Sequence, residues 1–204
     1  ATVAEPQPLL SVVIPAYNEE KRLRGTLAQV LGYLATRGYT SEVIVVDDGS
    51  DDSTTAIADE LASSHPNLRL IRNPHRGKGY TVRTGMLAGS GRYILFSDAD
   101  LATPIEEVEK LMAQLEGGYD IAIGSREGLG ATRLEEPWFR HFIGRVFNLL
   151  VRLIAVGHFR DTQCGFKIFR RAAAQEIFAS MKLYGDDAPE IQGSAVTAFD
   201  VEVL

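Results

Sequence analysis

The chain has 204 residues, a length that suits one sizeable domain, with 45% hydrophobic and 24% charged residues. These fractions are typical of an ordinary soluble globular protein. The net charge of −6 argues against a nucleic-acid partner, and no apolar run approaches the ~20 residues of a membrane span.

Strand-like and helix-like segments alternate after a loose lead-in at residues 1–8. Strands are predicted at residues 11–14, 42–46, 68–71, 93–96, 119–124 and 164–169. Helices with apolar residues at 3.6-residue spacing are predicted after Asn18, at 53–63, around Val82 and Met86, after Thr103, at 138–156 and at 171–181. This alternation predicts an α/β fold, in which helices cover both faces of a mostly parallel sheet.

Three local signals set the expected boundaries of these elements. Pro15 is expected to stop the first strand, and Asn18 to cap the N-terminus of the first helix. Thr103, Pro104 and Glu106 fit the N-cap, N1 and N3 positions of a capping box.

Polar and acidic residues follow the first, second and fourth strands, at residues 15–19, 47–50 and 98–100. Ligands of parallel α/β sheets bind outside the carboxyl ends of the strands. A purely structural fold has no need for so many carboxylates at one edge, so we expect a binding site there.

Asp98 and Asp100 are the most informative pair at this edge. In an extended chain their spacing puts both side chains on one face, where two anions repel unless a cation lies between them. Oxygen ligands suit Mg²⁺ or Mn²⁺. A solvated turn is the alternative, since Asp is common where strands end.

Residues 11–19 (SVVIPAYNE), 45–50 (VVDDGS) and 98–100 (DAD) resemble the motifs of family-2 glycosyltransferases in order and spacing. The resemblance covers nearly the whole chain. It implies a GT-A (Rossmann-like) fold, a single catalytic domain over residues 1–204 and a nucleotide-sugar donor.

A narrower resemblance, to the glucosyl type of polyprenyl-phosphate and dolichyl-phosphate glycosyltransferases, rests on four stretches: 76–79 (RGKG), 124–126 (GSR), 161–167 (DTQCGFK) and 199–202 (FDVE). Residues 184–197 look longer than the family's usual link before the stretch at 199–202. The family's further C-terminal helices are missing. We therefore expect a longer, membrane-associated parent protein, working at the cytoplasmic face of a membrane, with an oligomer possible.

The implied donor site comprises Pro15, Tyr17, Glu19, Asp47, Asp48, Lys78, Asp98, Ala99 and Asp100. Tyr17 could pack beside the base, and Glu19 could accept hydrogen bonds from the ribose. The resemblance gives Asp48 a base contact, with Asp47 as the alternative. It makes Asp100 the more direct metal ligand, supported by Asp98, while Lys78 could add positive charge.

The acceptor site is expected among arginines in the second half of the chain. A lipid phosphate needs cationic anchors, and the candidates are Arg126, Arg145, Arg140 and Lys167; exposed arginines are the ordinary alternative. Asp98, Asp100, Arg126 and Asp200 form the predicted catalytic set, in which Asp200 orients the acceptor or acts as base for a hydroxyl. Residues 133–156 could form a helix in a membrane interface or inside the domain.

The leading hypothesis is an inverting enzyme that moves glucose from UDP-glucose to a polyprenyl or dolichyl phosphate, giving a β-linked product. GDP-mannose as donor and a soluble or polymeric hydroxyl as acceptor are alternatives. A non-catalytic nucleotide-sugar sensor is a third. A dinucleotide-dependent oxidoreductase is less favoured, because the glycine-flanked loop at Lys78 lacks the third glycine and follows the third strand.

Overall fold

A computed structural model describes residues 7–124 and 164–181 of the chain, in which helices cover both faces of one sheet. The strands are β1 (Leu10–Ala16), β2 (Ser41–Asp47), β3 (Leu68–Arg72), β4 (Tyr93–Ser97), β5 (Ile121–Ile123) and β6 (Phe166–Arg170). The helices are α1 (Leu23–Ala35), α2 (Thr54–Ser64), α3 (Lys78–Ala88), α4 (Val108–Glu116) and α5 (Arg171–Ser180).

The six strands lie in the order β3-β2-β1-β4-β6-β5. The four strands from β1 to β4 pair in parallel, whereas β6 runs antiparallel to both of its neighbours, β4 and β5. The sheet is therefore mostly parallel and flanked by helices, which confirms the predicted fold class.

Two apolar layers sandwich the sheet, and β1 shows why its sequence is apolar throughout. Val12 and Ile14 pack on the face covered by α1, α2 and α4, while Val13 packs on the opposite face with α3 and α5. A strand buried on both faces needs apolar residues at every position rather than at alternate ones.

Pro15 does not end β1, because the strand continues to Ala16. The carbonyl of Ala16 accepts a hydrogen bond from the Asp48 N–H (2.9 Å), so Ala16 points its backbone groups toward β2. The backbone N–H and C=O groups of successive strand residues point alternately to the two neighbouring strands, so the backbone of Pro15 faces β4. The pairing of β4 with β1 ends earlier, at Val13. The missing N–H of Pro15 costs no ladder bond there.

The predicted helix caps are wrong for a tertiary reason. Asn18 has a left-handed backbone (φ 54°) and bridges two loops, since its Oδ1 accepts from the Asp51 N–H (3.0 Å); α1 begins only at Leu23. Pro104 is extended and precedes a short 3₁₀ helix, Ile105–Glu107, so the capping box does not form.

Several predictions lie outside the described residues. They are the lead-in up to residue 6, the helix at 138–156 and the loop after residue 184. The single domain over residues 1–204 stays a prediction. Within residues 7–124 and 164–181, no helix is both long and apolar enough to cross a membrane.

Candidate active site

A cleft of about 250 Å³ lies at the carboxyl ends of β1, β2 and β4, beside the start of α3. This is the edge at which the parallel strands were expected to place a ligand. Every predicted donor residue except Asp47 lines it: Pro15, Tyr17, Glu19, Asp48, Lys78, Asp98, Ala99 and Asp100.

Asp47 and Asp48 are both buried but have different partners. The Oδ2 of Asp47 accepts from the N–H groups of Gly49 and Ser50 (both 3.2 Å), which fixes the turn after β2. Asp48 instead faces the cleft. Adjacent strand residues point to opposite sides, so only one of the two acids could serve the cleft directly.

The carboxylate of Asp48 holds the loop that leads into α3. Its Oδ1 accepts from the Arg76 N–H (3.0 Å), and its Oδ2 accepts from the Gly77 N–H (2.9 Å) and from Nδ1 of His75 (2.8 Å). The same Nδ1 lies 3.0 Å from the Asp48 carbonyl oxygen. Both neighbours are acceptors, so Nδ1 carries the proton.

Tyr17 and His75 form one wall of the cleft. Their rings are stacked, with centroids 4.1 Å apart and an angle of 7° between the planes. Tyr17 follows β1 and His75 precedes α3, so the stack joins two loops that are distant in sequence. Aromatic rings next to polar lining residues are suited to a planar, partly apolar ligand.

Asp98 and Asp100 reach the cleft from a turn rather than from an extended strand. β4 ends at Ser97, and the Leu101 N–H donates to the Asp98 carbonyl (3.2 Å) to close the turn. The predicted same-face arrangement along a strand is therefore wrong, although both acids line the cleft. Asp98 Oδ1 lies 2.7 Å from Nζ of Lys78, and Asp100 Oδ1 accepts from the Ala102 N–H (3.0 Å).

The pKa of Glu19 reflects the negative charge of the surrounding residues. Burial raises the pKa of its carboxyl above the ordinary value, and the charges of Asp100, Asp52 and Asp98 raise it further. Arg22, with Nε 2.8 Å from Glu19 Oε2, acts in the opposite direction without cancelling the shift. An anionic ligand entering this acidic cleft would need added positive charge.

The carboxylates of Asp98 and Asp100 fit a hard divalent cation. No cluster of three or more potential ligand residues occurs in the described parts of the chain, so the protein there offers no complete cage. Two carboxylates are nevertheless enough for Mg²⁺ or Mn²⁺ when the ligand's phosphates and water complete the shell.

Of the predicted acceptor residues, the structure describes only Lys167. Lys167 is only 1% exposed, and its Nζ donates to the carbonyl of Cys164 (2.9 Å). The described contacts thus hold it inside the protein and do not support a role as a phosphate anchor. Arg126, Arg140, Arg145 and Asp200 lie outside the described residues and stay predictions.

His75 was not among the predicted site residues. Its place depends on contacts with Asp48 and Tyr17, which come from two other loops. The only sequence signal was its position immediately before the glycine-flanked loop at Lys78.

Comparison with known proteins adds three findings. A family model described as glycosyl transferase family 2 matches residues 11–178. A dolichyl-phosphate beta-glucosyltransferase of Drosophila melanogaster is 42% identical, with 96% of this chain and 61% of the relative covered. The Homo sapiens protein of the same name is 38% identical, with 98% and 63% covered. The chain thus spans somewhat over 60% of the length of these relatives.

Solved structures share the fold. Glucosyl-3-phosphoglycerate synthase from Mycobacterium tuberculosis, solved with Mn²⁺, UDP-glucose and phosphoglyceric acid, has a TM-score of 0.60 at 23% identity, with 81% of this chain and 57% of that chain covered. A mannosyltransferase from Pyrobaculum calidifontis, solved with GDP-Man and Mn²⁺, has a TM-score of 0.56 at 21% identity, with 84% and 47% covered. The fold therefore accommodates donors with either base.

Proposed function

The chain belongs to glycosyl transferase family 2, and we propose on that basis that it transfers glucose from UDP-glucose to dolichyl phosphate. The observation that carries the proposal is the cleft, which combines a stacked ring pair, a lysine and the carboxylates of Asp98 and Asp100 at one sheet edge. The names of relatives at 38–42% identity favour glucose and dolichyl phosphate over the other substrates of the family.

The nucleoside would lie against the wall formed by Tyr17 and His75. Asp48 supports this wall because its carboxylate fixes His75 and the two following backbone N–H groups. We assign Asp48 a mainly supporting role, since both of its oxygens are already hydrogen-bonded within the protein. Glu19, which lines the cleft beside Arg22, would accept a hydrogen bond from the ribose.

The diphosphate would lie over Lys78, Asp98 and Asp100. Asp98 and Asp100 would hold Mg²⁺ or Mn²⁺, which when bound supplies positive charge to the leaving diphosphate. Lys78 adds a further positive charge from the first residue of α3, where the helix N-terminus also favours an anion.

The reaction forms a bond between an oxygen of the lipid phosphate and the anomeric carbon, and breaks the bond from that carbon to the UDP oxygen. A phosphate oxygen is already ionised at neutral pH, so the attack needs no strong general base. In-line displacement inverts the anomeric centre, and an α-linked donor gives a β-linked product. Arg126, Arg145 and Arg140 are the proposed anchors for the lipid phosphate, at the cytoplasmic face of a membrane.

A transfer assay would test the proposal directly. The protein is incubated in detergent with dolichyl phosphate and UDP-glucose, GDP-mannose or other nucleotide sugars, with Mn²⁺, Mg²⁺ or EDTA. We expect glucosyl lipid only from UDP-glucose with a divalent cation, and a β configuration by NMR.

Asp100→Ala should reduce turnover by at least about 100-fold, a loss typical of removing charge stabilisation from a leaving group. Asp51→Ala, which changes an exposed acid outside the cleft, is the matched control and should retain activity. Full turnover in EDTA would contradict the metal assignment, and transfer only to a hydroxyl acceptor would contradict the lipid assignment.

A further inference from the structure

The turn at Cys164 and Gly165, just before β6, lies directly against Asp98. The antiparallel register pairs Ser97 with Phe166, which sets Gly165 opposite Asp98 at the next position. The Asp98 N–H donates to the Gly165 carbonyl (2.9 Å), so the pairing continues through this position. Side chains of directly opposed residues lie on the same face and compete for the same space.

Gly165 leaves that space to the Asp98 carboxylate. A Cβ atom placed on Gly165 would overlap both Oδ2 and Cγ of Asp98. The other oxygen, Oδ1, is held by Lys78 at 2.7 Å. The carboxylate is thus confined between an ammonium group on one side and a bare Cα on the other.

Lys167 anchors this turn from inside the protein. Its buried ammonium donates to the Cys164 carbonyl (2.9 Å) and lies 5.7 Å from the ring centroid of Phe96. Burying a charge destabilises the folded state unless hydrogen bonds and contacts with aromatic faces compensate for the lost hydration. Here the compensating partners include the backbone of the turn that carries Gly165.

We infer that Gly165 is a positioning residue, which sets the direction of the Asp98 carboxylate toward the donor diphosphate and its metal ion. The inference rests on the proposed function and assigns a role to a residue that has no side chain of its own. A side chain at position 165 would rotate the Asp98 carboxylate away from the cleft without removing it.

The variant Gly165→Ala tests this role. We expect Mn²⁺-dependent binding of UDP, measured by calorimetry, to weaken about tenfold or more, as happens when a group orienting a metal ligand is altered. Gly32→Ala is the matched control, because a Cβ at Gly32 meets no atom within 4 Å beyond its own helix backbone and the residue does not line the cleft. It should bind Mn²⁺ and UDP as the unmodified protein does.

A second variant separates positioning from general misfolding. If Gly165→Ala lowers the melting temperature, adding Asp98→Ala should restore it to that of Asp98→Ala alone, because the overlapping carboxylate is then gone. Unchanged UDP binding by Gly165→Ala, or a loss of stability that Asp98→Ala does not relieve, would overturn the inference. Failure of the unmodified protein to bind UDP with Mn²⁺ would instead count against the proposed function.

Discussion

The cleft contains carboxylates of similar chemistry in different environments. Asp48 is buried and accepts three hydrogen bonds from one loop, whereas Asp100 is exposed in a turn. A carboxylate that is already hydrogen-bonded on both oxygens supports its neighbours, while an exposed one can exchange water for a ligand. Position within the cleft alone would not have distinguished these roles.

Replacing Asp48 by Asn tests whether its hydrogen bonds to the loop before α3 stabilise the protein and the cleft. Asn keeps the shape but offers one acceptor oxygen and an NH₂ group, which would face at least one N–H donor of the loop. We expect a loss of roughly 1–3 kcal/mol in the free energy of unfolding, measured with urea, together with weaker UDP binding. Asp51→Asn, in the exposed part of the neighbouring loop, is the control. Equal stability and affinity in the two variants would contradict the supporting role.

The strands were predicted within two residues of their positions, because each is an apolar run bounded by turn residues. Helix starts were predicted less well. Asn18 and Thr103 are typical cap residues, but their side chains contact another loop and the region before β6 instead. A local pattern cannot anticipate such tertiary partners. Nor could it give the direction of β6, since a buried strand has the same apolar pattern in either direction.

Glu42, near the start of β2, shows how one side chain connects several elements. Its Oε1 accepts from the hydroxyls of Ser11 in β1 (2.6 Å) and Ser90 before β4 (2.7 Å), and its Oε2 lies 3.3 Å from Nε of Arg69 in β3. Burial alone would raise the pKa of the Glu42 carboxyl, but the hydrogen bonds and the Arg69 charge outweigh it. The net effect is a pKa below the ordinary 4.5.

The lowered pKa predicts a pH-dependent stability effect for Glu42→Gln. The folded state favours the ionised carboxylate, so the contribution of Glu42 is complete above pH 4.5 and is lost as the pH falls through the folded-state pKa. We expect the variant to lose about 1–2 kcal/mol at neutral pH and to approach the unmodified protein in acid. Thermal unfolding across this pH range measures the difference. A deficit that persisted undiminished below the ordinary pKa would refute the assignment, and exposed Glu116→Gln is the control.

The donor half of the site could be predicted from the sequence, because its motifs stand at strand ends within the first 100 residues. His75 and Gly165 could not, since one acts through a ring stack and the other through the absence of a side chain. The choice between Asp47 and Asp48 needed the structure, which shows that Asp48 is the one that lines the cleft. Arg126 and Asp200, which would complete the acceptor side, lie outside the described residues.

Metal and nucleotide should stabilise the protein only in combination. The net charge of −6 and the acids around Glu19 disfavour UDP alone, whereas a divalent cation held by Asp98 and Asp100 would supply positive charge that offsets the repulsion. At 100 times Kd, a ligand specific for the folded state adds about 2.7 kcal/mol to its stability. Differential scanning fluorimetry should therefore show a raised melting temperature with UDP and Mn²⁺, and no rise when EDTA is added. A full shift in EDTA would argue against a metal-bridged site.

The place of β6 in the sheet has a consequence for synthesis on the ribosome. β6 lies between β4 and β5, although it follows both in the chain, and in the described sheet β5 pairs only with β6. Among the described strands, β4, which contains Phe96, is therefore an open edge of the sheet until residues 166–170 emerge, and β5 has no strand to pair with. Unprotected edges of this kind invite pairing between chains. A product of premature termination before Cys164 should thus be a substrate for chaperones or aggregate, even though most of the donor-site residues are already present.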